Sequence, residues 1–139
     1  MTDWIIGLKK AYEQYQDEDY IHSLSADTLS KVAVRLSAIY ANVSELRADM
    51  LEEYSKADEV ADYDEKQMFL ELTKENTQVK AQALARVKTH QKRMEVISKR
   101  KVYEKMNGLL SSTEKMITSI QSRLKTLAIE TKSTRSQNG

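Results

Sequence analysis

The stretch that decides the fold covers residues 78–127 and reads QVKAQALARVKTHQKRMEVISKRKVYEKMNGLLSSTEKMITSIQSRLKTL. It contains no Pro and a single Gly, Gly108. Those two residue types destabilise a helix interior most, by roughly 3 and 1 kcal/mol. Its second part repeats apolar, aromatic and small side chains at alternating spacings of three and four, which turns one helix face towards a partner helix. This C-terminal seam consists of Tyr103, Met106, Leu110, Thr113, Ile117, Ile120, Leu124 and Leu127. We therefore expect a long helix that ends in an assembly surface.

The same spacing occurs earlier in the chain and predicts a second long helix. Ser25 or Asp27 can cap it, and we expect it to continue past Tyr54 to about Ala61. Its seam positions are Leu29, Val32, Leu36, Ile39, Val43, Leu46 and Met50. A helix with such a stripe needs a partner, because it cannot bury the stripe alone.

The apolar spacing weakens between residues 55 and 76, where we place the reversal of the chain. Asp62 and Glu65 have the spacing of a capping box, so a short helix is expected to restart there. Asn76 or Thr77 can cap the later long helix. In that helix, Asn107 and Gly108 mark either a bend or a break. Its upstream apolar stripe is expected to pack on the neighbouring helix and consists of Val79, Ala83, Val87, His90, Met94 and Ile97.

These patterns predict an all-α fold in which two long helices form an antiparallel coiled-coil-like hairpin over residues 25–130. Residues 1–24 predict a short N-terminal helical segment. Residues 131–139 are polar and lack large apolar side chains, so we expect a disordered C-terminal tail.

Composition limits the functions to consider. The chain of 139 residues has no Cys, which excludes disulfides and thiolate chemistry. It has no Gly-rich phosphate loop, and His22 and His90 lack metal-ligand spacing. Asp19 and His22 form a single i, i+3 pair, whereas carboxylate metal sites need at least two such sets. No apolar run approaches the roughly 20 residues that cross a bilayer. We expect a cytoplasmic, non-enzymatic protein without metal, cofactor or membrane partner.

The charge is distributed unequally along the chain. Residues 1–75 contain 17 acidic and 8 basic residues, a net charge of −9, whereas residues 76–139 contain 14 basic and 4 acidic residues, a net charge of +10. Such asymmetry indicates either a polyanionic partner for the basic half or two halves that pair with each other.

The basic part of the later helix is the candidate nucleic-acid site. Three arginines recur every seven residues and form one row, and Lys88, Lys92 and Lys99 form a second. The predicted contacts are Arg86, Lys88, Lys92, Arg93, Lys99, Arg100, Lys101, Tyr103 and Lys105. Cations beside an apolar stripe suit the phosphate backbone of single-stranded DNA, with little discrimination between base sequences.

Internal salt bridges are the alternative use of these cations. A hairpin would set Glu45, Asp49, Glu52 and Glu53 near Arg86 and Arg93, and exposed pairs of this kind contribute only about 0–1 kcal/mol each. Lys99, Arg100, Lys101 and Lys105 would then lie opposite Lys31 and Arg35, where acidic partners are missing.

The C-terminal seam also has two uses. It can pack on the first long helix of the same chain, or it can assemble copies of the chain into a homo-oligomer. The predicted oligomerisation residues are Met106, Leu110, Ile117, Ile120, Leu124 and Leu127.

The order of these features resembles the recombination mediator proteins of tailed phages, the UvsY type. The residues that carry the resemblance are Tyr54 in the first segment and Tyr103, Leu109, Leu110, Met116, Ile117, Gln121, Ser122, Arg123 and Lys125 in the second. The resemblance implies a helical, ring-forming oligomer in the host cytoplasm that binds single-stranded DNA and helps to load a recombinase onto strands coated by a single-strand binding protein. The chain departs from that pattern at residues 51–56, which read LEEYSK and are acidic rather than cationic.

Two hypotheses follow from the sequence. The first is a non-enzymatic oligomeric accessory protein that binds single-stranded DNA through its basic helix, as a recombination mediator does. The second is a helical coiled-coil adaptor, structural protein or inhibitor that binds another protein, which the dense acidic surface between Asp49 and Glu65 suggests.

Overall fold

The computed structural model describes the backbone of residues 3–15 and 17–138 and the side chains of residues 6–15 and 17–135. All regular structure in these ranges is α-helical, which confirms the predicted all-α class. The helices are α1 (Asp3–Tyr15), α2 (Glu18–Ser23), α3 (Ala26–Leu72), α4 (Gln78–Lys88) and α5 (His90–Asn138). None of these helices is long and apolar enough to cross a membrane.

Side-chain caps begin three of the helices. The Asp17 carboxylate accepts from the backbone N–H of Asp19 at 3.0 Å and so begins α2. The Ser25 hydroxyl accepts from the backbone N–H of Thr28 at 3.2 Å beside the start of α3. The Thr77 hydroxyl caps α4 by accepting from the backbone N–H of Lys80 at 3.4 Å. These contacts select Ser25 and Thr77 from the predicted alternatives.

Helix α3 is longer than predicted, because it continues through residues 55–72 without a restart at Asp62. Its inward-facing positions keep the three-four spacing through Ala57, Ala61, Asp64 and Met68. Alanine and aspartate occupy three of these positions, so an apolar pattern does not reveal them. The connection to α4 therefore lies at residues 73–77, later than the predicted end of the first helix.

The predicted basic helix is interrupted at Thr89, which separates α4 from α5. Thr89 has φ −98° and ψ 8°, and its buried hydroxyl donates to the Ala85 carbonyl at 2.7 Å. Asn107 and Gly108 instead lie within α5, and Gly108 does not adopt a positive φ.

The prediction of a disordered C-terminal tail is wrong, since α5 extends to Asn138. Neither Pro nor Gly interrupts residues 109–138, and adding a residue to an existing helix avoids the cost of nucleation. The hydroxyls of Thr131 and Thr134 donate to the Leu127 and Glu130 carbonyls at 2.9 Å each.

The chain divides into two compact units. The terminal unit comprises residues 1–45 and 107–139, and the central unit comprises residues 46–106. The terminal unit has a core to which α1, α2, α3 and α5 all contribute. This core consists of Leu8, Ile21, Leu29, Leu36, Met116 and Ile120. The seam positions Leu29 and Leu36 of α3 thus face the core, as their spacing predicts.

The central unit buries small side chains and exposes large ones. Ala61, Ala81 and Ala85 are fully buried, and Val96 and Met106 are nearly so. The upstream apolar stripe predicted to pack inward is exposed instead, with Val79 82%, Val87 72%, Met94 46% and Ile97 45% accessible. Small side chains permit close helix packing, so the alanine face of α4 turns inward and the valine face turns outward.

Candidate nucleic-acid interface

Arg93 is held by three carboxylates of α3 in the central unit. Its guanidinium donates to Asp58 at 3.4 Å, to Glu65 at 2.7 Å and to Asp62. Asp58, Asp62 and Glu65 recur at spacings of four and three and therefore share one face of α3. The hydrogen bond and the charge of Arg93 lower the pKa of Asp62. In turn, the hydrogen bonds to Asp62 and Glu65 raise the pKa of Arg93. The charge of Arg93 is thus compensated within the chain.

Two further predicted cations also pair with α3. The Arg86 Nε lies 3.7 Å from a Glu65 carboxylate oxygen, and Lys92 pairs with Asp64. Pairing between the halves was predicted with Glu45, Asp49, Glu52 and Glu53, and these partners are wrong. The prediction placed the reversal of the chain too early. Because α3 continues to Leu72, acidic residues nearer its C-terminal end lie beside α4 and α5. The sequence signal for these partners is the recurrence of acidic residues at positions 58, 62 and 65.

The other predicted cations remain exposed. Lys88, Lys99, Lys101 and Lys105 have no ion-pair partner among the residues that the structure describes. Within the described ranges Arg100 pairs only with Glu104, at 3.0 Å on the same exposed surface of α5. A guanidinium in such an exposed pair contributes little to stability and can exchange partners.

The predicted position of these cations opposite Lys31 and Arg35 is wrong. Tyr103 stacks on Tyr54, with ring centroids 6.4 Å apart and planes at 11°. Lys99 lines a shallow groove together with Glu53 and Val60. Residues 99–105 therefore lie beside residues 53–60 of α3, while Lys31 pairs with Asp27 in the terminal unit. One face of Tyr103, the predicted aromatic contact, is covered by Tyr54.

The predicted oligomerisation residues lie in the interior of the same chain. Met106, Leu110 and Ile120 are buried, and Ile120 belongs to the core of the terminal unit. Ile117, Leu124 and Leu127 are half-buried and pack against that core. The seam is therefore used at least in part within one chain, which is one of the two predicted uses.

The described residues do not form a metal site. Among them, no group of three or more His, Asp and Glu side chains is placed to hold a metal ion. The predicted pair of Asp19 and His22 lies on the exposed surface of α2. The interface is therefore defined by cations rather than by a pocket.

Comparison of the chain with protein-family models, curated proteins and solved structures gives no match.

Proposed function

We propose that this chain is a non-enzymatic, oligomeric accessory protein that binds single-stranded DNA through residues 99–105 of α5. The observation that carries the proposal is the set of exposed lysines, Lys99, Lys101 and Lys105, without an ion-pair partner in the described part of the chain. Lys101 and Lys105 are one helical turn apart, so they reach the same side of α5. Arg100 joins them by exchanging Glu104 for a phosphate.

The proposed contact is electrostatic. Each lysine that meets a phosphate releases condensed counterions, which favours binding without reading the bases. Arg86, Lys92 and Arg93 stay with α3, because a phosphate would have to displace carboxylates already in place. The proposed site is therefore narrower than the one predicted from sequence, with about four cations per protomer instead of eight.

Charge reversal tests the proposal. We expect the Lys101→Glu/Lys105→Glu variant to lose single-stranded DNA binding by at least tenfold at low salt, measured by fluorescence anisotropy with a labelled oligonucleotide. Lys125→Glu/Lys132→Glu is the matched control, since it makes the same charge change at exposed positions further along α5. Circular dichroism verifies that both variants keep wild-type helicity. Equal losses in the two variants would show that net charge, not residues 99–105, determines binding.

We also propose that α3 and α5 form an antiparallel coiled-coil-like hairpin. Contacts in the central unit support it, because Tyr54 pairs with Tyr103 while Glu65 pairs with Arg93, so α5 partner numbers fall as α3 numbers rise. The chain has no Cys, so Tyr54→Cys/Tyr103→Cys should cross-link on oxidation. Tyr54→Cys/Arg86→Cys should not.

The oligomer is proposed to form through the upstream apolar stripe of α4 and α5, between Val79 and Ile97. A monomeric protein rarely exposes apolar side chains at regular helical spacing without a partner. A second copy presents the same stripe, so two copies can cover each other's exposed apolar side chains. By its resemblance to the recombination mediators, the oligomer would act beside a recombinase and a single-strand binding protein.

The same stripe favours the second candidate function, a helical adaptor. In that case the stripe binds an amphipathic helix of another protein. Acidic residues beside the apolar face of that helix would be attracted by Lys80 and Lys101 beside the stripe. Light scattering separates the two candidates. If the wild type is an oligomer and Val87→Glu/Met94→Glu is a monomer, copies occupy the stripe. If both are monomers, and a model helix with leucine at its seam and glutamate beside it binds only the wild type, the adaptor is favoured.

A further inference from the structure

A groove in the terminal unit lies between α5 and the first two helices. It has a volume of about 480 Å³ and is open to solvent along one side. Helix α5 contributes Lys115, Ser119, Ser122 and Arg123, while Tyr12 and Tyr15 contribute from α1. We call it the Arg123 groove. It is separate from residues 99–105, which belong to the central unit.

Arg123 is the unusual residue of this groove. Its side chain is only 16% exposed, and its one ionic neighbour among the described residues is Glu130, whose carboxylate oxygen lies 3.9 Å from Nη1. The Arg123 Nε is buried and has no hydrogen-bond partner within the described ranges. A buried guanidinium with so little compensation is costly to the folded state, and such groups ordinarily have a partner. The exposed part of the Arg123 side chain lines the groove, so an anion bound there would compensate the charge.

The remaining polar groups suit an oxyanion. Lys115 has no ion-pair partner in the part of the chain that the structure describes, and the hydroxyls of Ser119 and Ser122 are exposed there. Residues 115, 119 and 122 are spaced by four and three, so they line one side of α5 beside Arg123. Arginine, lysine and hydroxyl donors together are the groups that bind phosphoryl oxygens in proteins. Glu18 and His22 line the groove from α2, and Thr118 and Thr126 line it from α5.

The aromatic side of the groove indicates what the phosphoryl group is attached to. Tyr12 and Tyr15 are half-buried and line the groove, and the buried Met116 also contributes to its lining. Burial raises the pKa of Tyr15 further above neutrality, where a tyrosine phenol is already a neutral hydrogen-bond donor. A flat heterocycle next to tyrosine rings is stabilised by stacking, which is tolerant of base identity.

We propose that the Arg123 groove binds a nucleoside monophosphate unit, with Arg123 on the phosphate, Lys115 adding positive charge in the same groove, and Tyr12 and Tyr15 beside the base. The unit is either a free nucleotide or the phosphorylated end of a single strand. Both sources present the same phosphate and base to the groove. They differ in whether the rest of a strand adds to the affinity.

The test is isothermal titration of the full chain with dAMP, with adenosine as the control ligand without a phosphate. We expect dAMP to bind and adenosine to bind at least tenfold more weakly. Arg123→Gln should weaken dAMP binding at least tenfold, whereas Lys125→Gln, two residues along α5 and outside the groove, should stay within twofold. Absence of dAMP binding to the wild type would overturn the proposal.

A second variant separates ligand binding from a structural role of Arg123. Arg123→Met removes the charge and keeps the length of the side chain, so it should unfold at the same or a higher temperature while losing the shift that dAMP causes. If Arg123→Met unfolds at a lower temperature and the wild type shows no shift with dAMP, the guanidinium is structural and the proposal fails. If that variant does not fold, Lys115→Gln/Ser119→Ala changes only exposed side chains and should still weaken dAMP severalfold. Unchanged affinity there would contradict the site.

The two sources are distinguished with a short oligonucleotide, with and without a 5′-phosphate. A strand end is indicated if the 5′-phosphate raises affinity and Arg123→Gln removes that gain. A free nucleotide is indicated if dAMP binds and the two oligonucleotides bind equally. The Lys101→Glu/Lys105→Glu variant should leave dAMP affinity unchanged, so failure of this site and failure of the proposed α5 site can be told apart.

Discussion

Arg93 connects α5 to three carboxylates of α3, and its loss would leave Asp58 and Asp62 without this cation and Glu65 with Arg86 at 3.7 Å. We expect Arg93→Ala to lower the free energy of unfolding by about 1 kcal/mol, the upper end for partly exposed ion pairs. Arg100→Ala is the control, because Arg100 pairs only with Glu104 on its own helix and should change the free energy by less than about 0.5 kcal/mol. Urea unfolding followed by circular dichroism measures both. Equal effects would contradict the importance of the α3 cluster.

Asp62 should make the stability of the fold depend on pH in the acid range. Arg93 lowers the pKa of Asp62 in the folded state below the ordinary aspartate value of about 3.9. The stabilisation is therefore fully present above about pH 4 and is lost as pH falls through the lower folded value. We expect the melting temperature of Asp62→Asn to fall less steeply than that of the wild type below pH 4. Glu114→Gln, at an exposed position of α5 without an ion-pair partner in the described ranges, should retain the wild-type slope.

The course of α3 illustrates how much of the fold the sequence predicts. The three-four spacing from Leu29 to Met50 predicted its first half, because large apolar side chains occupy the seam. Ala61 and Asp64 hold equivalent positions in its second half, where neither signals burial. The end of the helix was therefore placed too early. That error moved the expected partners of Arg86 and Arg93 by more than one helical turn.

The stripe of α4 and α5 shows the opposite error. Val79, Val87, Met94 and Ile97 have helical spacing and were expected to face inward, yet the face with Ala81 and Ala85 is the buried one. A sequence pattern shows that a helix has an apolar face, but it does not show which apolar face the chain itself covers. When a helix has two such faces, packing distance decides between them, and alanine permits the closer approach.

Gly108 offers a direct test of the continuity of α5. A Cβ added at this position would meet no atom within 4 Å, and the residue lies in a regular helix. We expect Gly108→Ala to raise the free energy of unfolding by about 0.5–1 kcal/mol, because alanine is the better helix former and reduces the freedom of the unfolded chain. Ala128→Gly, at an exposed position of the same helix, should lower it by a similar amount. A destabilising Gly108→Ala would indicate that the chain needs a hinge there.

The opposite charges of the two halves were evident from sequence, and one of the two predicted uses of that asymmetry, pairing between the halves, is present in the structure. Arg86, Lys92 and Arg93 pair with α3, while Lys99, Lys101 and Lys105 remain exposed without a partner in the described residues. Charge counts alone do not predict which cations form internal ion pairs and which stay exposed, because that depends on where α3 ends. The Arg123 groove was not predicted at all, since burial of a single arginine leaves no periodic signal.

The measurement that tests the proposed function most directly is the salt dependence of single-stranded DNA binding by the wild-type chain. Affinity should fall linearly in log salt with a slope of about 0.7 for each phosphate contacted. With Lys99, Arg100, Lys101 and Lys105 engaged, we predict a slope of about −3 per bound protomer. No binding at low salt would contradict the proposed function. A slope near −6 would mean that all eight basic side chains contact phosphate, in conflict with the pairing of Arg86, Lys92 and Arg93 to α3.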